Sequence, residues 1–324
     1  MTINEIISQI IIKKRLVGGI KSVVFVGCGG SLSALYPAKY FLDCNSKSLR
    51  TACYTSNEFV HLNPAYIGPN SIVISMSHRG NTPETIAATK KARESGADSI
   101  VLTFIEQSPL ANQGDYVITY DWGFNADQEN SNVSKALKIA LEIINQTEGY
   151  QLYDNFLLAF KNIDSIISDA KAATIDAALE FASNYRNEPI IYVMGSGTGF
   201  SAAYSFSICI LMEMQWMNSS YIHSGEYFHG PFEITEENVP FILLIGSGRT
   251  RPMDLRAFDF LKKFGKKYLV LDSQTLGLRK IDKDIAEYFD HLFFTVLLRQ
   301  YAEALAEARN HPLSERRYMW KIEY

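Results

Sequence analysis

The 324-residue chain repeats itself at a nearly constant offset. Val23–Gly30 (VVFVGCGG) is a β-rich run that ends in a glycine-rich turn, and Ile190–Gly197 (IIYVMGSG) has the same form 190 − 23 = 167 residues later. Ser71–Ser77 precedes a polar loop and Thr82; Val239–Gly246 precedes another and Thr250, and 250 − 82 = 168. Gly96–Thr103 (GADSIVLT) returns as Gly265–Asp272 (GKKYLVLD), and 265 − 96 = 169. Short strands around Tyr54 and Tyr221 keep the step, at 221 − 54 = 167. Every α/β chain alternates strands and loops, but alternation alone predicts no fixed offset, whereas internal duplication does. A chain of this length has room for two domains of ordinary size. The expected division is 1–165 and 166–324.

The strands are continuous apolar runs, the pattern of strands buried on both faces. That argues for an α/β fold with parallel sheets and helices on both sides. Thr82–Ser95 reads as a crossover helix with Pro83 in its first turn, and Met253–Phe264 as its counterpart. Tyr150–Asn187 reads as mostly helical and joins the halves. A last helix follows from Ile285, Tyr288, Phe289, Leu292, Phe293, Val296 and Leu297, which alternate steps of three and one. Pro312 stops it, and the tail Leu313–Tyr324 is aromatic and basic.

Several function classes are disfavoured. A formal charge of −4 speaks against a broad basic surface for nucleic acid. No apolar run approaches the roughly 18 residues of a membrane span. The segment MTINEIISQIIIKK places an acidic residue ahead of its apolar stretch and reads as a helix start, not a signal peptide. Cys28, Cys44, Cys53 and Cys209 match no zinc or redox spacing. Reduced thiols and a cytoplasmic location are expected.

In open parallel sheets, ligands bind outside the carboxyl ends of the strands. In the first half those ends are Gly27–Ser33 (GCGGSLS) and Ser75–Thr82 (SMSHRGNT). Both are rich in small and hydroxyl residues and lead into helices, whose N-terminal N–H groups and dipole favour an anion. They lack the nucleoside triphosphate pattern, and the first lacks the third glycine of a dinucleotide loop. Two adjacent loops of this kind point to a phosphate; the plainer alternative is N-capping by Ser31 or Asn81.

The matching loop of the second half, Gly195–Gly199, opens the expected helix Phe200–Met217, apolar on nearly every face and so expected to be buried. Its one charged residue is Glu213. Spacing leaves two readings open. Burial raises a carboxylate's pKa and suits it to proton transfer; alternatively, the side chain reaches solvent or pairs with an Arg. Next, Tyr221–Glu233 (YIHSGEYFHGPFE) places His223, Glu226 and His229 just after a strand. His229-Gly230-Pro231 reads as a turn that holds an imidazole suited to proton transfer near neutral pH. His223 reads as a structural histidine, and no third metal ligand has sensible spacing.

The two repeats resemble sugar isomerase (SIS) domains over nearly the whole chain, which implies two tandem SIS domains, each a flavodoxin-like parallel sheet flanked by helices. Ser77-His78-Arg79-Gly80-Asn81-Thr82 resembles the S-x-S-G-x-T phosphate loop of that family, with Arg79 where a second serine usually stands. Glu213 and His229-Gly230-Pro231 resemble the Glu and the H-G-P motif of the isomerase half of glutamine–fructose-6-phosphate aminotransferase. The stretches Ser205–Glu213 and Gly225–Ile234, and the tail from Asn310 to Tyr324, are closer still to the fructosamine-6-phosphate deglycases. Phe206 and Ile210 stand where the aminotransferase isomerase resemblance would put a Glu and a Lys, which argues against plain aldose–ketose isomerisation.

The resemblance implies cleavage of a 6-phosphofructosyl amino acid to glucose 6-phosphate and free amine. Glu213 and His229 are the implied catalytic residues; Gly29, Ser31, Ser77, His78, Arg79 and Thr82 are the implied phosphate site. It implies no metal or other cofactor, no nucleic-acid or membrane partner, and a homodimer or higher homo-oligomer. Another SIS phosphosugar isomerase or deaminase is the alternative enzyme reading, and a non-catalytic sugar-phosphate sensor the alternative of a different class. The sequence does not name the amine released.

Overall fold

The computed structural model describes residues 1–123 and 126–323; Tyr324, the last residue of the tail, lies outside them. The chain divides into two compact units, Met1–Lys161 and Asn162–Tyr324. Among the described residues, no helix is long and apolar enough to cross a membrane.

The first unit begins with α1 (Ile3–Arg15), which Thr2 and Glu5 start with a reciprocal capping box. Then come β1 (Ser22–Gly27), α2 (Gly29–Asn45), β2 (Arg50–Thr55), α3 (Ser56–Leu62), β3 (Ser71–Met76), α4 (Pro83–Glu94), β4 (Asp98–Thr103), β5 (Tyr116–Thr119) and α5 (Asn132–Thr147). The sheet is parallel throughout, in the order β2-β1-β3-β4-β5. β1, β3 and β4 are buried along their whole length, which accounts for their unbroken apolar character. The order turns back between β1 and β3, and their register pairs Val26 with Ser75. The two hydroxyl-rich loops therefore leave adjacent strand ends, at the switch point where such sheets bind ligands.

Helix α6 (Tyr153–Ala173) carries the chain across the division. The second unit continues with α7 (Ile175–Tyr185), β6 (Ile190–Gly195), α8 (Gly197–Ser205), a π-helical segment Phe206–Met214, β7 (Asn218–His223), β8 (Phe241–Ile245), α9 (Arg251–Phe264), β9 (Tyr268–Asp272) and α10 (Asp290–Ala308). Its parallel sheet runs β7-β6-β8-β9, the order of the first four strands of the other unit. The duplication reaches backbone detail. Gly29 and Gly197 both take positive φ, at 52° and 53°, one residue into their helices. A Cβ on Gly27 would lie 3.0 Å from the Leu32 nitrogen, and one on Gly195 3.1 Å from the Gly199 oxygen.

The expected helix Phe200–Met217 needs correction. It starts earlier, at Gly197, and widens into the π-helical segment before ending at Met214. It is also not buried all round: Ala202, Ala203, Phe206, Ser207 and Leu211 are covered, whereas Met212 is 40% exposed and Ile208, Cys209, Ile210 and Glu213 are half-buried. A helix laid on a sheet has only its sheet-facing side covered within its own unit, and the apolar outer side here goes beyond what that packing needs.

Two neighbouring buried groups at the start of α10 titrate in opposite senses. His291 Nδ1 lies 2.8 Å from Ser201 Oγ in α8, and burial pushes its pKa down to about 3. Its stabilising contribution is complete above the ordinary value of 6.5 and is lost as pH falls toward 3. Asp290 is pushed up to about 7, first by burial. Its contribution is present below the ordinary 3.8 and is lost as pH rises through 7. Urea midpoints at pH 7.5 and pH 5 separate the two. His291→Gln is expected to gain stability relative to wild type on acidification, on the order of 2 kcal/mol, because only the histidine's acid penalty is removed.

Candidate active site

The first unit presents two helix starts at the carboxyl edge of its sheet. Cys28 is the N-cap of α2 and Thr82 that of α4, and neither makes a side-chain capping bond. By contrast, Thr2, Thr55 and Ser131 cap α1, α3 and α5 through their side chains. Capping by Ser31 or Asn81 is therefore not what these loops do. Ser31 is the third residue of α2, and its N–H donates to the Cys28 carbonyl at 3.1 Å, so the first-turn positions ahead of it are Gly29 and Gly30. Ser77 is buried, and its hydroxyl lies 2.8 Å from that of Thr82. Gly29 supplies the positive φ that turns strand into helix. Arg79 is exposed. His78 is half-buried, its ring stacked on Phe104 at 5.2 Å. Burial, and secondarily Arg79, hold the His78 pKa below its ordinary value.

The corresponding loop of the second unit is filled by the protein's own carboxylates. Ser247 donates through its N–H and its hydroxyl to Asp290 Oδ2, at 2.8 and 3.0 Å, and Ser273 donates to Oδ1 at 2.6 Å. Gly246 N–H donates to Asp254 Oδ2 at 3.0 Å. Arg249 donates to Glu287 from its backbone at 3.2 Å and from Nε at 2.8 Å. Backbone donors that would greet an anion are here directed at internal ones. The repeat gave no warning of this, because Glu287 and Asp290 sit between the apolar positions that define the last helix.

Glu213 lies near the end of the π-helical segment. Its Oε1 is 2.8 Å from an Nη of Arg316, a tail residue only 7% exposed. A second Nη of Arg316 donates to the carbonyls of Leu313 and Glu315, at 2.8 and 2.7 Å. Burial raises the Glu213 pKa above the ordinary carboxylate value, and the Arg316 charge and hydrogen bond oppose it. Both open readings of Glu213 thus hold together: it is half-buried with a raised pKa, and it pairs with an arginine. The pairing was not legible, because 103 residues separate the partners.

His229 ends a short 3-10 turn and is exposed. Gly230, at φ 136°, and Pro231 then redirect the chain, so the imidazole sits at a stiff corner. His223 is half-buried; its Nδ1 accepts a 3.0 Å bond from Gly225 N–H, and its ring meets Phe200 edge-on.

The SIS domain family matches residues 19–141. Fructosamine deglycase FrlB of Bacillus subtilis is 46% identical over 305 residues, covering 94% of this chain and 93% of the relative. The chain belongs to the SIS-domain family of the fructosamine deglycases. Fructoselysine 6-phosphate deglycase of Escherichia coli K12 is 25% identical, covering 95% of this chain and 88% of its own. A crystal structure from Salmonella typhimurium LT2, described as a candidate phosphosugar isomerase, is 48% identical with a TM-score of 0.96, covering 99% of this chain and 96% of that one. The C-terminal domain of glucosamine-fructose-6-phosphate aminotransferase from Francisella tularensis, at 16% identity and a TM-score of 0.78 over 96% of this chain and 94% of that one, shares the fold.

The ion pair makes a testable statement about Glu213. Replacing Arg316 with Met removes the charge and hydrogen bond that oppose burial, so the Glu213 pKa should rise further. A ¹³C carboxylate titration comparing the two proteins, with Glu213→Gln to assign the resonance, checks the direction.

Proposed function

We propose that this protein is a fructosamine-6-phosphate deglycase, and that Glu213 and His229 carry its proton transfers. The substrate is an Amadori compound, fructose 6-phosphate with an amino acid nitrogen on C1. The observation that carries this reading is the identity with a fructosamine deglycase along almost the entire chain. The site chemistry supports it. The paired hydroxyls of Ser77 and Thr82, with Gly29, Ser31, His78, Arg79 and the N-terminal ends of α2 and α4, suit a phosphate. Anchoring the substrate there supplies binding energy remote from the reacting carbons.

In the open-chain form, the C2 ketone acidifies the protons on C1. Glu213 takes one of them, and the electron pair moves into a C1–C2 double bond as O2 gains a proton, giving an enaminol. Protonation at C2 then moves the unsaturation to C1–N, giving an imine. Water adds to C1, the C–N bond breaks, and glucose 6-phosphate and the free amine leave. A half-buried carboxylate with a raised pKa is better matched to this exchange than a solvated one. His229 serves as the acid near O2 or O5, in ring opening or in polarising the carbonyl. Glu213 is the one carboxylate of the stretch Gly197–Met214.

The same reading includes a cytoplasmic enzyme acting as a homodimer. Four cysteines outside disulfides suit a reducing compartment. Met212, Trp216 and Tyr221, at 40%, 38% and 39% exposure, leave large apolar side chains near Glu213 in sequence that a second copy would cover.

Release of glucose 6-phosphate from fructoselysine 6-phosphate is the test. Wild type should turn over, and Glu213→Gln should lose about a hundredfold or more in kcat while keeping its thermal midpoint. Near-normal turnover by the variant would remove Glu213 from the base role. Phosphosugar binding by wild type without release from any fructosamine phosphate would favour the sensor.

A further inference from the structure

The ring of His78 is held from three directions inside the first unit. It stacks on Phe104 at 5.2 Å with an interplanar angle of 11°. The Trp122 ring centroid lies 4.6 Å away. Nδ1 is 3.2 Å from the Tyr120 hydroxyl. Phe104 directly follows β4 and Tyr120 directly follows β5, so both leave the carboxyl edge from which the Ser77–Thr82 loop also rises. Tyr120 is 4% exposed and Trp122 is 58% exposed. The clamp is therefore rooted in the unit at the tyrosine and open to solvent at the tryptophan.

The hydrogen bond decides which ring nitrogen carries the proton. Among the described residues, the Tyr120 hydroxyl has one hydrogen-bond partner, His78. Were Nδ1–H to donate to the phenol oxygen, the hydroxyl hydrogen would be left in a buried place without an acceptor. Donation from O–H to Nδ1 satisfies both groups. A neutral imidazole has one proton, which then sits on Nε2. The charged and titratable groups facing the ring are Arg79 and Tyr120. Burial, and secondarily Arg79, favour the neutral imidazole, and burial favours the protonated phenol.

We propose that Tyr120 is a positioning residue for the phosphate loop: it locks His78 as the Nε2–H tautomer, so that the loop offers the substrate phosphate a neutral N–H donor. This rests on reading Ser77–Thr82 as the phosphate loop. A locked neutral donor contributes a directed hydrogen bond without a charge of its own, and its availability does not depend on protonating the ring. Phe104 and Trp122 hold the plane of the ring; Tyr120 holds its proton.

The test compares wild type, Tyr120→Phe and Ser77→Ala, with inorganic phosphate and fructose 6-phosphate as binding probes and the deglycase assay beside them. Long-range ¹H–¹⁵N spectra of wild type should show His78 Nδ1 without a proton and Nε2 with one, and Tyr120→Phe should give a mixture of tautomers. Tyr120→Phe should weaken both probes in proportion to the lost Nε2–H population, about twofold for an even mixture, with the change falling on KM more than on kcat. The double variant Tyr120→Phe, His78→Gln should bind no worse than His78→Gln, because the amide carries its own N–H. A protonated Nδ1 in wild type would overturn the proposal. So would unchanged probe affinity in Tyr120→Phe. If Ser77→Ala weakens the probes and Tyr120→Phe does not, only the tyrosine's role fails. If neither changes them, the phosphate-loop reading fails with it.

Discussion

The site hangs on one tight connection, the passage from strand to helix within a single residue. At the ends of β1 and β6 the following turn lies so close that a Cβ would sit 3.0–3.1 Å from its backbone. Two residues later a glycine at positive φ swings the chain into the helix. Only glycine meets both demands without strain. The consequence is positional: the first turn of α2 stands directly over the carboxyl edge of its sheet. The reversal of strand order between β1 and β3 sets the Ser77–Thr82 loop beside it. Two helix starts and the short hydroxyls of Ser31, Ser77 and Thr82 then rise from adjacent strand ends.

The duplicated unit shows what the same connection does when the protein supplies its own anions. Asp254, Asp290 and Glu287 take the donors of the β8 loop, at the expense of burying carboxylates, two of which are raised to about 6 and about 7. The second copy thus uses its loop donors to tie α9 and α10 to the sheet. The second copy has its own chemical feature elsewhere. The helix after β6 is α-helical at the start and π-helical at the end, and Glu213 sits in that widened part. Its neighbour Arg316 comes from the tail. Burial makes that carboxylate more basic, and the arginine opposes the shift.

Much of this was legible in the sequence. The fixed offset gave the two units and their matching strands, because a strand buried on both faces is a continuous apolar run wherever it occurs. The two polar loops were legible because chain order places them at the carboxyl ends of strands. Glu213 stood out as the single charge in an apolar helix, and His229 for its stiff Gly-Pro neighbour. Other features lacked a local signal. The π widening has no composition of its own. Arg316 is one basic residue among several in the tail. Tyr120 reads as the end of a short strand, and nothing near it in sequence points to His78.

The sequence by itself determined the class of fold, the doubling and which loops and side chains were available for chemistry. These follow from periodicity, glycine placement and the cost of burying a charge, all of which act over a few residues. Tertiary structure decided how those side chains are used. Only the folded units show that the β8 loop donates to internal carboxylates, whereas the Ser77 and Gly80 N–H groups of the β3 loop donate to backbone carbonyls. Only they set Arg316 against Glu213, 103 positions away, and Tyr120 against His78, 42 positions away. Hydrogen bonds and ion pairs form between groups that packing brings within about 3 Å, and that proximity is a property of the whole chain.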